Sequence, residues 1–167
     1  MQVATSLQTM NNLNISIRLA KLDDLTEMQR IFVDTITTVC SSDYDEQQIR
    51  VWVSGVNNTE RWKKIIVEQY VIVAENGDKI LGYGTLNNES YIDLLYVHKD
   101  HQGQGIAQLL LDEITKEARQ LGQTKLYSDV SKTARPFFVK SGFVQLSEQT
   151  NIREGVELIN YKMTKHL

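Results

Sequence analysis

The sequence is poor in the residues and segments that cross-link, kink or anchor a chain. Its 167 residues include one cysteine, Cys40, and one proline, Pro136. A single cysteine excludes an internal disulfide, which is typical of a reducing compartment. No apolar run approaches the roughly 18 residues that span a bilayer, and residues 1–12 lack the basic start and apolar core of a secretion signal. We therefore expect a soluble, cytoplasmic protein with no membrane partner.

The chain also has no excess of basic residues. The chain has 18 Lys and Arg against 21 Asp and Glu, a formal net charge of −3. Nucleic-acid-binding proteins usually carry a basic surface, so a nucleic-acid partner is not expected. Neither an internal repeat nor a Ser- or Gly-rich linker divides the chain. The sequence therefore predicts a flexible N-terminal extension, residues 1–14, followed by a single domain, residues 15–167.

Hydrophobic periodicity predicts both helices and strands. Apolar residues recur at helical spacing from Leu25 to Val39 and again after Gly105, whereas they alternate along segments 70–75 and 79–86. The resulting order is β-α-α-α-β-β-β-α-β-α-β-β. Strands alternate with helices only in the second half. We therefore expect an α/β (α+β) protein with a mixed central sheet of about seven strands, flanked by helices, in which a parallel pair flanks the helix near Gly105.

Two glycines precede the most regular of the predicted helices. In "HQGQGIAQLLLDEI", Gly103 and Gly105 follow a predicted strand, 91–97, and open a leucine-rich helix. The first turn of a helix carries N–H groups without intrahelical acceptors and the positive end of the dipole, so it binds phosphate well. Glycine lets an anion approach closely because it has no Cβ. The segment from Gln102 to Ala107 is therefore a candidate diphosphate loop.

Two common phosphate-loop patterns do not fit this segment. A P-loop ends in Gly-Lys-Ser/Thr, whereas Ile106 follows Gly105. The dinucleotide fingerprint needs a third glycine or alanine where this chain has Gln108, and it needs a strand that opens a βαβ unit. The remaining pattern, Gln/Arg-x-x-Gly-x-Gly/Ala, is met by Gln102, Gly105 and Ala107.

The segment "LYVHKDHQGQGIAQLLL" resembles the central motif of the GNAT superfamily, the acetyl-CoA-dependent N-acetyltransferases. The resemblance implies that loop amides bind the diphosphate of coenzyme A. It also implies that the preceding strand splays away from its parallel neighbour and that the pantetheine arm lies in the gap. The coenzyme contacts implied in this way are Leu95, Tyr96, Val97, Gln102, Gly103, Gln104, Gly105, Ile106 and Ala107.

A second segment extends the resemblance. "TARPFFVKSGF" resembles the second signature of the family, a short helix that runs into Gly142 and Phe143. It follows the motif helix and one strand, at the distance expected for the family. Together with "DYDEQQIRVW" and "NYKMTK", it resembles a bacterial GNAT subgroup often called YafP-like. The similarity runs from about residue 15 to residue 165 and implies the GNAT fold for the whole domain.

Acetyl transfer to an amine has chemical requirements that point to further residues. A lysine-like amine has a pKa of about 10.4 and must give its proton to a base. The thioester carbonyl needs a hydrogen-bond donor for the developing oxyanion. The resemblance implies Asp93 as the base, with Glu89 and Asp129 as weaker candidates. It implies the backbone N–H of Tyr96 or Val97 as the oxyanion donor.

One position departs from the family pattern. The family commonly places a tyrosine, the general acid for the leaving thiolate, four residues before the glycine of Gly-Phe; this chain has Phe138 there. A thiol has a reference pKa of about 8.5, so its thiolate is a tolerable leaving group at neutral pH. We hypothesise that Phe138 packs against the pantetheine arm and that catalysis needs no tyrosine acid. The alternative is another hydroxyl, from Tyr127, Ser128, Tyr161 or Ser131, the last of which is also expected to contact the coenzyme.

The sequence defines the acceptor only by class. We expect a primary amine of a small molecule or a protein, bound between the first two helices and the last two strands, on a monomer or homodimer. Trp52 lies at helical spacing from Ile49, which favours a core position. The aromatic residues that could otherwise line an acceptor pocket are Tyr44, Trp62 and Tyr70.

Two alternatives to this function stay open, and a metal site is not expected. The absence of a hydroxyl at Phe138 is also compatible with a non-catalytic acyl-CoA sensor. A toxin-type acetyltransferase acting on aminoacyl-tRNA is the second alternative, which the net charge disfavours. His98, Asp100 and His101 lie close together in sequence, but their spacing falls across a strand-to-loop exit, which favours a solvated loop over a metal site.

Overall fold

The computed structural model describes residues 14–167, and these form a mixed sheet with helices on both faces. The seven strands in this part of the chain are β1 (Ser16–Leu19), β2 (Tyr70–Asn76), β3 (Lys79–Asn87), β4 (Tyr91–Val97), β5 (Lys125–Ser131), β6 (Val144–Arg153) and β7 (Val156–His166). The five α-helices of the same residues are α1 (Leu25–Thr38), α2 (Glu46–Val53), α3 (Thr59–Glu68), α4 (Ile106–Gln120) and α5 (Arg135–Lys140). The element order agrees with the sequence prediction. The predicted flexible extension lies outside the described residues, apart from residue 14.

The sheet has the order β1-β2-β3-β4-β5-β7-β6. Among the described strands, β4 and β5 form the one parallel pair, and the other neighbours are antiparallel. A parallel pair needs a crossover connection, which α4 supplies. The predicted mixed sheet with a parallel pair around the helix near Gly105 is therefore confirmed.

Each face of the sheet buries its own apolar core. The core under α4 and α5 contains, among others, Leu81, Ile106, Leu110, Ile114 and Phe143. The core under α1, α2 and α3 contains, among others, Met28, Ile31, Phe32, Trp62 and Tyr83. Burying one large apolar side chain contributes about 1.5–3 kcal/mol. The two helical layers therefore hold the central strands, which carry the site, from both sides.

Two glycines of β3 let α4 pack directly against the sheet backbone. A Cβ on Gly84 would lie 2.7 Å from the Cδ1 of Ile114, and one on Gly82 would lie 3.2 Å from the Cγ2 of Ile106. The same Cβ on Gly82 would lie 2.8 Å from the carbonyl oxygen of Tyr96 on β4. The absence of side chains here brings the start of α4 close to the end of β4.

The parallel strands β4 and β5 pair at their beginnings and then separate. Within the described chain, their paired residues are Tyr91 with Tyr127 and Ile92 with Ser128. Beyond these two positions β5 continues to pair with β7 as far as Ser131, while β4 continues along β3. This opens a wedge-shaped gap between the two strands, as the resemblance implied.

A β-bulge in β4 accompanies the separation. From Ile92 to Leu95, β4 advances three residues while β3 advances two. As a result, Asp93 and Leu94 both lie on the α1–α3 face of the sheet. The backbone N–H of Leu94 donates to the buried hydroxyl of Thr85 at 3.0 Å instead of to a strand carbonyl. The bulge is therefore stabilised by a side chain, and it turns β4 away from β5.

Candidate active site

The glycine loop ends directly beside the gap. Gly103 has a φ of 70° and Gly105 a φ of 80°, both in the left-handed region that favours glycine. Gly105 is the N-cap of α4 and offers no side chain to its first turn. The N–H groups at the start of α4 are therefore left for an external acceptor, and the positive end of the helix dipole lies at the same place. This arrangement suits a phosphate group.

Gln102 holds the loop to the sheet. Its side-chain amide donates to the carbonyl of Val97 at 2.7 Å. The hydroxyl of Thr35, on α1, donates to the same carbonyl at 2.8 Å. Gln102 was predicted to contact the coenzyme, and the structure shows its side chain bonded to the end of β4.

The backbone of β4 presents alternate residues to the gap. The N–H of His98 donates to the carbonyl of Leu81 on β3 at 2.7 Å. In an antiparallel pair the residues bonded to the partner strand alternate along the chain, so Tyr96 turns its N–H and carbonyl towards β3, and Leu95 and Val97 turn theirs towards the gap. Of the two predicted oxyanion donors, Val97 therefore faces the gap, whereas the backbone of Tyr96 is turned to β3.

The side chain of Tyr96 lies among aromatic rings on the α1–α3 face. Its ring centroid is 5.2 Å from that of Phe32 and 5.9 Å from that of Tyr83. Burial raises the pKa of Tyr96, while a hydrogen bond from Trp52 and the positive charge of Arg153 act in the opposite direction. The phenol therefore stays protonated at neutral pH.

Asp93 lies on the cavity wall in a network of charged and polar side chains. Its Oδ1 accepts from Arg61 at 3.0 Å and its Oδ2 from Gln69 at 2.8 Å. The side chain is 11% exposed. Glu89, a weaker candidate base, bonds to Gln123 on the surface and is not part of this wall.

The second weaker candidate, Asp129, lies across the gap on β5. The hydroxyl of Tyr91 donates to its Oδ2 at 2.9 Å, and the side-chain amide of Gln149 donates to its Oδ1 at 2.9 Å. Burial raises the pKa of Tyr91, and the charge of Asp129 adds to the effect. Two carboxylates, Asp93 and Asp129, therefore stand on the α1–α3 side of the splayed strands.

Phe138 is buried at the far side of the gap. It is 3% exposed and packs edge-on against Phe143, with ring centroids 4.9 Å apart. Of the hydroxyls proposed as substitutes for a tyrosine acid, those of Ser128 and Ser131 are on residues that line the cavity. Ser128 donates to a strand carbonyl at 2.9 Å, and Ser131 accepts a backbone N–H at 3.1 Å. The described cavity lining does not include the other two candidates, Tyr127 and Tyr161.

The gap opens into a cavity of about 700 Å³. Its walls reach from Ala107 at the start of α4 to the α1–α3 layer and the hairpin of β6 and β7. Trp52 and Trp62 line it. Trp52 also packs, partly buried, against the core under α1, α2 and α3, so it belongs to both the core edge and the cavity wall. Tyr70, another candidate, packs against the core under α4 instead.

The hydroxyl of Tyr44 connects strand β7 with the turn that follows β5. It donates to the carbonyl of Ile159 on β7 at 2.6 Å and accepts the N–H of Lys132 at 2.9 Å. Burial raises the pKa of Tyr44 to about 12. Cys40, the single cysteine, lines the cavity, and burial raises its pKa as well.

Sequence reasoning missed several residues of this site because their role depends on contacts between distant segments. These residues are Thr35, Arg61, Gln69, Tyr91 and Arg153. Three of them, Arg61, Gln69 and Tyr91, bind the candidate carboxylates. No local pattern marks them, since each partner lies more than 20 residues away along the chain.

The histidine cluster after β4 is partly buried. His98 is 7% exposed, and its Nδ1 accepts the N–H of Asp100 at 3.1 Å. The expected solvated loop is therefore wrong for His98. In residues 14–167 no group of three or more His, Cys, Asp or Glu side chains is placed to hold a metal ion.

Two comparisons of the chain with known proteins assign its family. Residues 40–165 match the family model described as the acetyltransferase (GNAT) domain. The uncharacterized N-acetyltransferase YafP of Escherichia coli K12 is 31% identical over 150 residues, which cover 90% of this chain and 95% of that protein. The chain therefore belongs to the GNAT acetyltransferases and is an acyltransferase. The predicted superfamily and the YafP-like subgroup are confirmed.

Solved structures show the same fold. A GCN5-related N-acetyltransferase from Rhodopseudomonas palustris superposes with a TM-score of 0.89 at 29% identity, over 96% of this chain and 99% of that one. The PaiA N-acetyltransferase of Thermoplasma acidophilum, whose crystal structure contains coenzyme A, gives a TM-score of 0.74 at 19% identity, over 92% and 99% of the two chains. Among the described helices, none is long and apolar enough to cross a membrane.

Proposed function

We propose that this chain moves the acetyl group of acetyl-CoA to a primary amine of a small molecule or a protein, by direct attack of the amine on the thioester. The observation that carries the proposal is the gap between β4 and β5, which opens beside the bare start of α4 and leads into the cavity. Residues 15–167 form the catalytic domain in this proposal. Its cytoplasmic location is supported by the single, buried thiol of Cys40.

The chain offers separate groups for the diphosphate and for the pantetheine arm of the coenzyme. The diphosphate would accept hydrogen bonds from the backbone of the loop, where Gly103 and Gly105 leave room for it. The pantetheine arm would lie in the gap and pair with the backbone of Leu95. The N–H of Val97 would be left for the thioester, since the Val97 carbonyl already accepts from Gln102 and Thr35. Phe138 and Ser131 line the opposite side of the gap and would contact the arm.

The chemistry needs a base and an oxyanion donor. As the amine nitrogen bonds to the thioester carbonyl carbon, its proton goes to the Asp93 carboxylate, directly or through water. The backbone N–H of Val97 donates to the developing oxyanion. The carbon–sulfur bond then breaks and the coenzyme leaves as a thiolate, which accepts a proton from solvent. The side-chain alternatives as proton donor are Ser128 and Ser131, which both line the cavity.

Free-thiol release is the direct test of this function. The protein would be incubated with acetyl-CoA and a panel of amines, polyamines, aminoglycosides, peptides and aminoacyl-tRNA, with the thiol followed by a colour reagent. We expect release that depends on an amine, and mass spectrometry should find the acceptor heavier by one acetyl group. Tight coenzyme binding without thiol release from any amine would contradict the proposal and favour a sensor. Release with aminoacyl-tRNA alone would favour the toxin-type alternative.

The role of Asp93 can be separated from that of its ion pair. Asp93→Asn removes the base and should lower kcat by about 100-fold or more, a typical contribution of a general base. Arg61→Gln breaks the same ion pair but keeps the carboxylate, so it should retain most of the activity. Equal losses in both variants, with both still folded by circular dichroism, would show that Asp93 is not the base.

A further inference from the structure

The cavity contains an arginine that the reaction does not use. Arg153 ends β6, at the hairpin that leads into β7, and it lines the cavity wall. Its charge acts on the hydroxyl of Tyr96, 57 residues away in the chain, and so does the charge of Asp93. Arg153 is an exposed residue, whereas the side chain of Asp93 is 11% exposed, and both line the same cavity.

Arg153 differs from the other arginine of the cavity wall in its partners. Arg61 is neutralised by Asp93 at 3.0 Å. For Arg153, no carboxylate of residues 14–167 lies within 4.0 Å of the guanidinium. A guanidinium is a planar fork of donors that matches a carboxylate with two parallel hydrogen bonds. Arg153 is thus the group of the described cavity wall that is best suited to an anion.

The cavity that Arg153 and Asp93 share also has apolar and aromatic side chains in its lining. Tyr44 and Trp52 pack edge-on with ring centroids 5.2 Å apart, and both line the cavity. Leu158 and Ile159 of β7 continue the same wall. Such a surface favours a molecule with an aliphatic or aromatic body.

We propose that the acceptor is an amino-acid-like molecule, with a primary amine, a carboxylate and an apolar side chain, and that Arg153 binds the carboxylate. This inference rests on the proposed acetyltransferase function. The amine would lie towards Asp93, the carboxylate towards Arg153 and the apolar body against Tyr44 and Trp52. Asp93 and Arg153 line the same cavity of about 700 Å³, so one small molecule bound in it could reach both.

The test compares acceptors that differ only in the carboxylate. L-Phenylalanine, L-leucine and L-methionine would be assayed beside their carboxamides, with wild-type protein and Arg153→Gln. We expect the substitution to lower kcat/KM for the acids by about 10- to 100-fold, the effect of losing hydrogen bonds to a charged group. The loss should lie mainly in KM. The kcat/KM for the amides should change by less than about twofold. For the acids, Arg153→Lys should give a kcat/KM between those of the wild type and Arg153→Gln, because lysine keeps the charge without the planar fork of donors.

A binding measurement gives an independent readout without turnover. N-Acetyl-L-phenylalanine and its amide differ in charge alone, and their binding in the presence of coenzyme A can be followed through tryptophan fluorescence, since Trp52 lines the cavity. Wild-type protein should bind the acid more tightly, and Arg153→Gln should abolish this preference. The matched control is Arg119→Gln, which changes an exposed arginine on α4. This variant should keep the preference of the wild type for the acid.

The outcomes separate this inference from the proposed function. Thiol release with amines but with equal effects of Arg153→Gln on acids and amides would overturn the role of Arg153 and leave the acetyltransferase function intact. A lack of thiol release with every amine would overturn the function itself. An acid preference that Arg153→Gln does not alter would place the carboxylate at another residue and overturn the assignment.

Discussion

At the scale of single residues, the end of β4 is held by side chains from two other segments of the chain. Gln102 and Thr35 donate to the same carbonyl of Val97, from the loop and from α1 respectively. The backbone of Val97 is therefore fixed from two sides before any ligand arrives. Fixed donors stabilise developing charge better than mobile ones because they need no reorganisation during the reaction.

The glycine loop allows a matched pair of substitutions. Gly103 and Gly77 have φ angles of 70° and 59°, and a Cβ on either would meet no atom within 4 Å. Gly103→Ala and Gly77→Ala should therefore each lower the free energy of unfolding by about 1–2 kcal/mol through the left-handed backbone alone. Only Gly103→Ala should also weaken coenzyme A binding, because its Cβ would occupy space beside the loop amides.

Calorimetric titration with coenzyme A measures binding by these two variants, and urea unfolding measures their stability. Gly77, in the turn between β2 and β3, serves as the control for backbone strain. If both variants bound coenzyme A as the wild type does, the loop would not be the diphosphate site. If both lost binding equally, the effect would be one of stability.

Phe138→Tyr tests whether the site needs a tyrosine acid. The ring is buried against Phe143 and lines the gap. A thiolate leaves without a proton donor at neutral pH, so we expect kcat to change by no more than about twofold, an effect below 0.5 kcal/mol on the barrier. Steady-state kinetics with a confirmed acceptor measure it. A rise in kcat of tenfold or more would show that the acid was missing and needed.

At the scale of elements, the contact between α4 and β3 places the start of α4, and two glycines set its distance. A Cβ on Gly82 would meet the backbone oxygen of Tyr96 at 2.8 Å, whereas one on Gly84 would meet the end of the Ile114 side chain at 2.7 Å. Backbone cannot give way as a side-chain methyl can. Gly82→Ala should therefore destabilise more than Gly84→Ala, whose cost should be about 1–3 kcal/mol from overpacking.

Urea unfolding of the wild type, the three single variants and one double variant checks the order and its cause. Ile114→Val removes the methyl group that a Cβ on Gly84 would meet, so the double variant Gly84→Ala/Ile114→Val should lose less stability than the sum of the single variants. Additive losses, or a smaller loss for Gly82→Ala than for Gly84→Ala, would contradict the packing argument.

Some features of the elements can be predicted from the sequence and others cannot. Strands and helices follow local periodicity, so their order and the parallel pair were predicted correctly. The bulge in β4 was not predicted, because it depends on the hydroxyl of Thr85, nine residues from Leu94. Likewise, Arg61 reaches Asp93 across 32 residues. Pairings of this kind are set by the fold as a whole, and periodicity carries no signal for them.

At the scale of the whole molecule, stability should depend on pH through His98. Burial lowers the pKa of His98, with a further lowering effect from Lys79. The unfolded chain takes up a proton at a pKa of about 6.5, whereas the folded chain resists it. The unfolded state then binds more protons, so stability rises with pH in the window between the folded pKa and about 6.5. On acidification from pH 7, stability should fall as the pH passes below about 6.5.

Urea unfolding between pH 5 and 7.5 measures this effect. His98→Asn keeps an oxygen that can accept the N–H of Asp100 but removes the titration, so its stability should vary less with pH than that of the wild type. His166→Asn, at the exposed end of β7, is the control and should follow the wild type. Identical pH profiles for the wild type and His98→Asn would contradict the assignment.

The residues that surround the cavity come partly from one continuous stretch of the chain and partly from separate segments. Strand β4, the loop and the start of α4 form one continuous stretch, 91–107, while Tyr44 and Trp52 come from an earlier segment and Arg153 from the hairpin of β6 and β7. Exchanging the β6–β7 hairpin between relatives would therefore alter one wall without touching that stretch. If the stretch 91–107 binds the cosubstrate as proposed, a new acceptor preference could be grafted onto it through the hairpin alone, in the laboratory or through natural divergence.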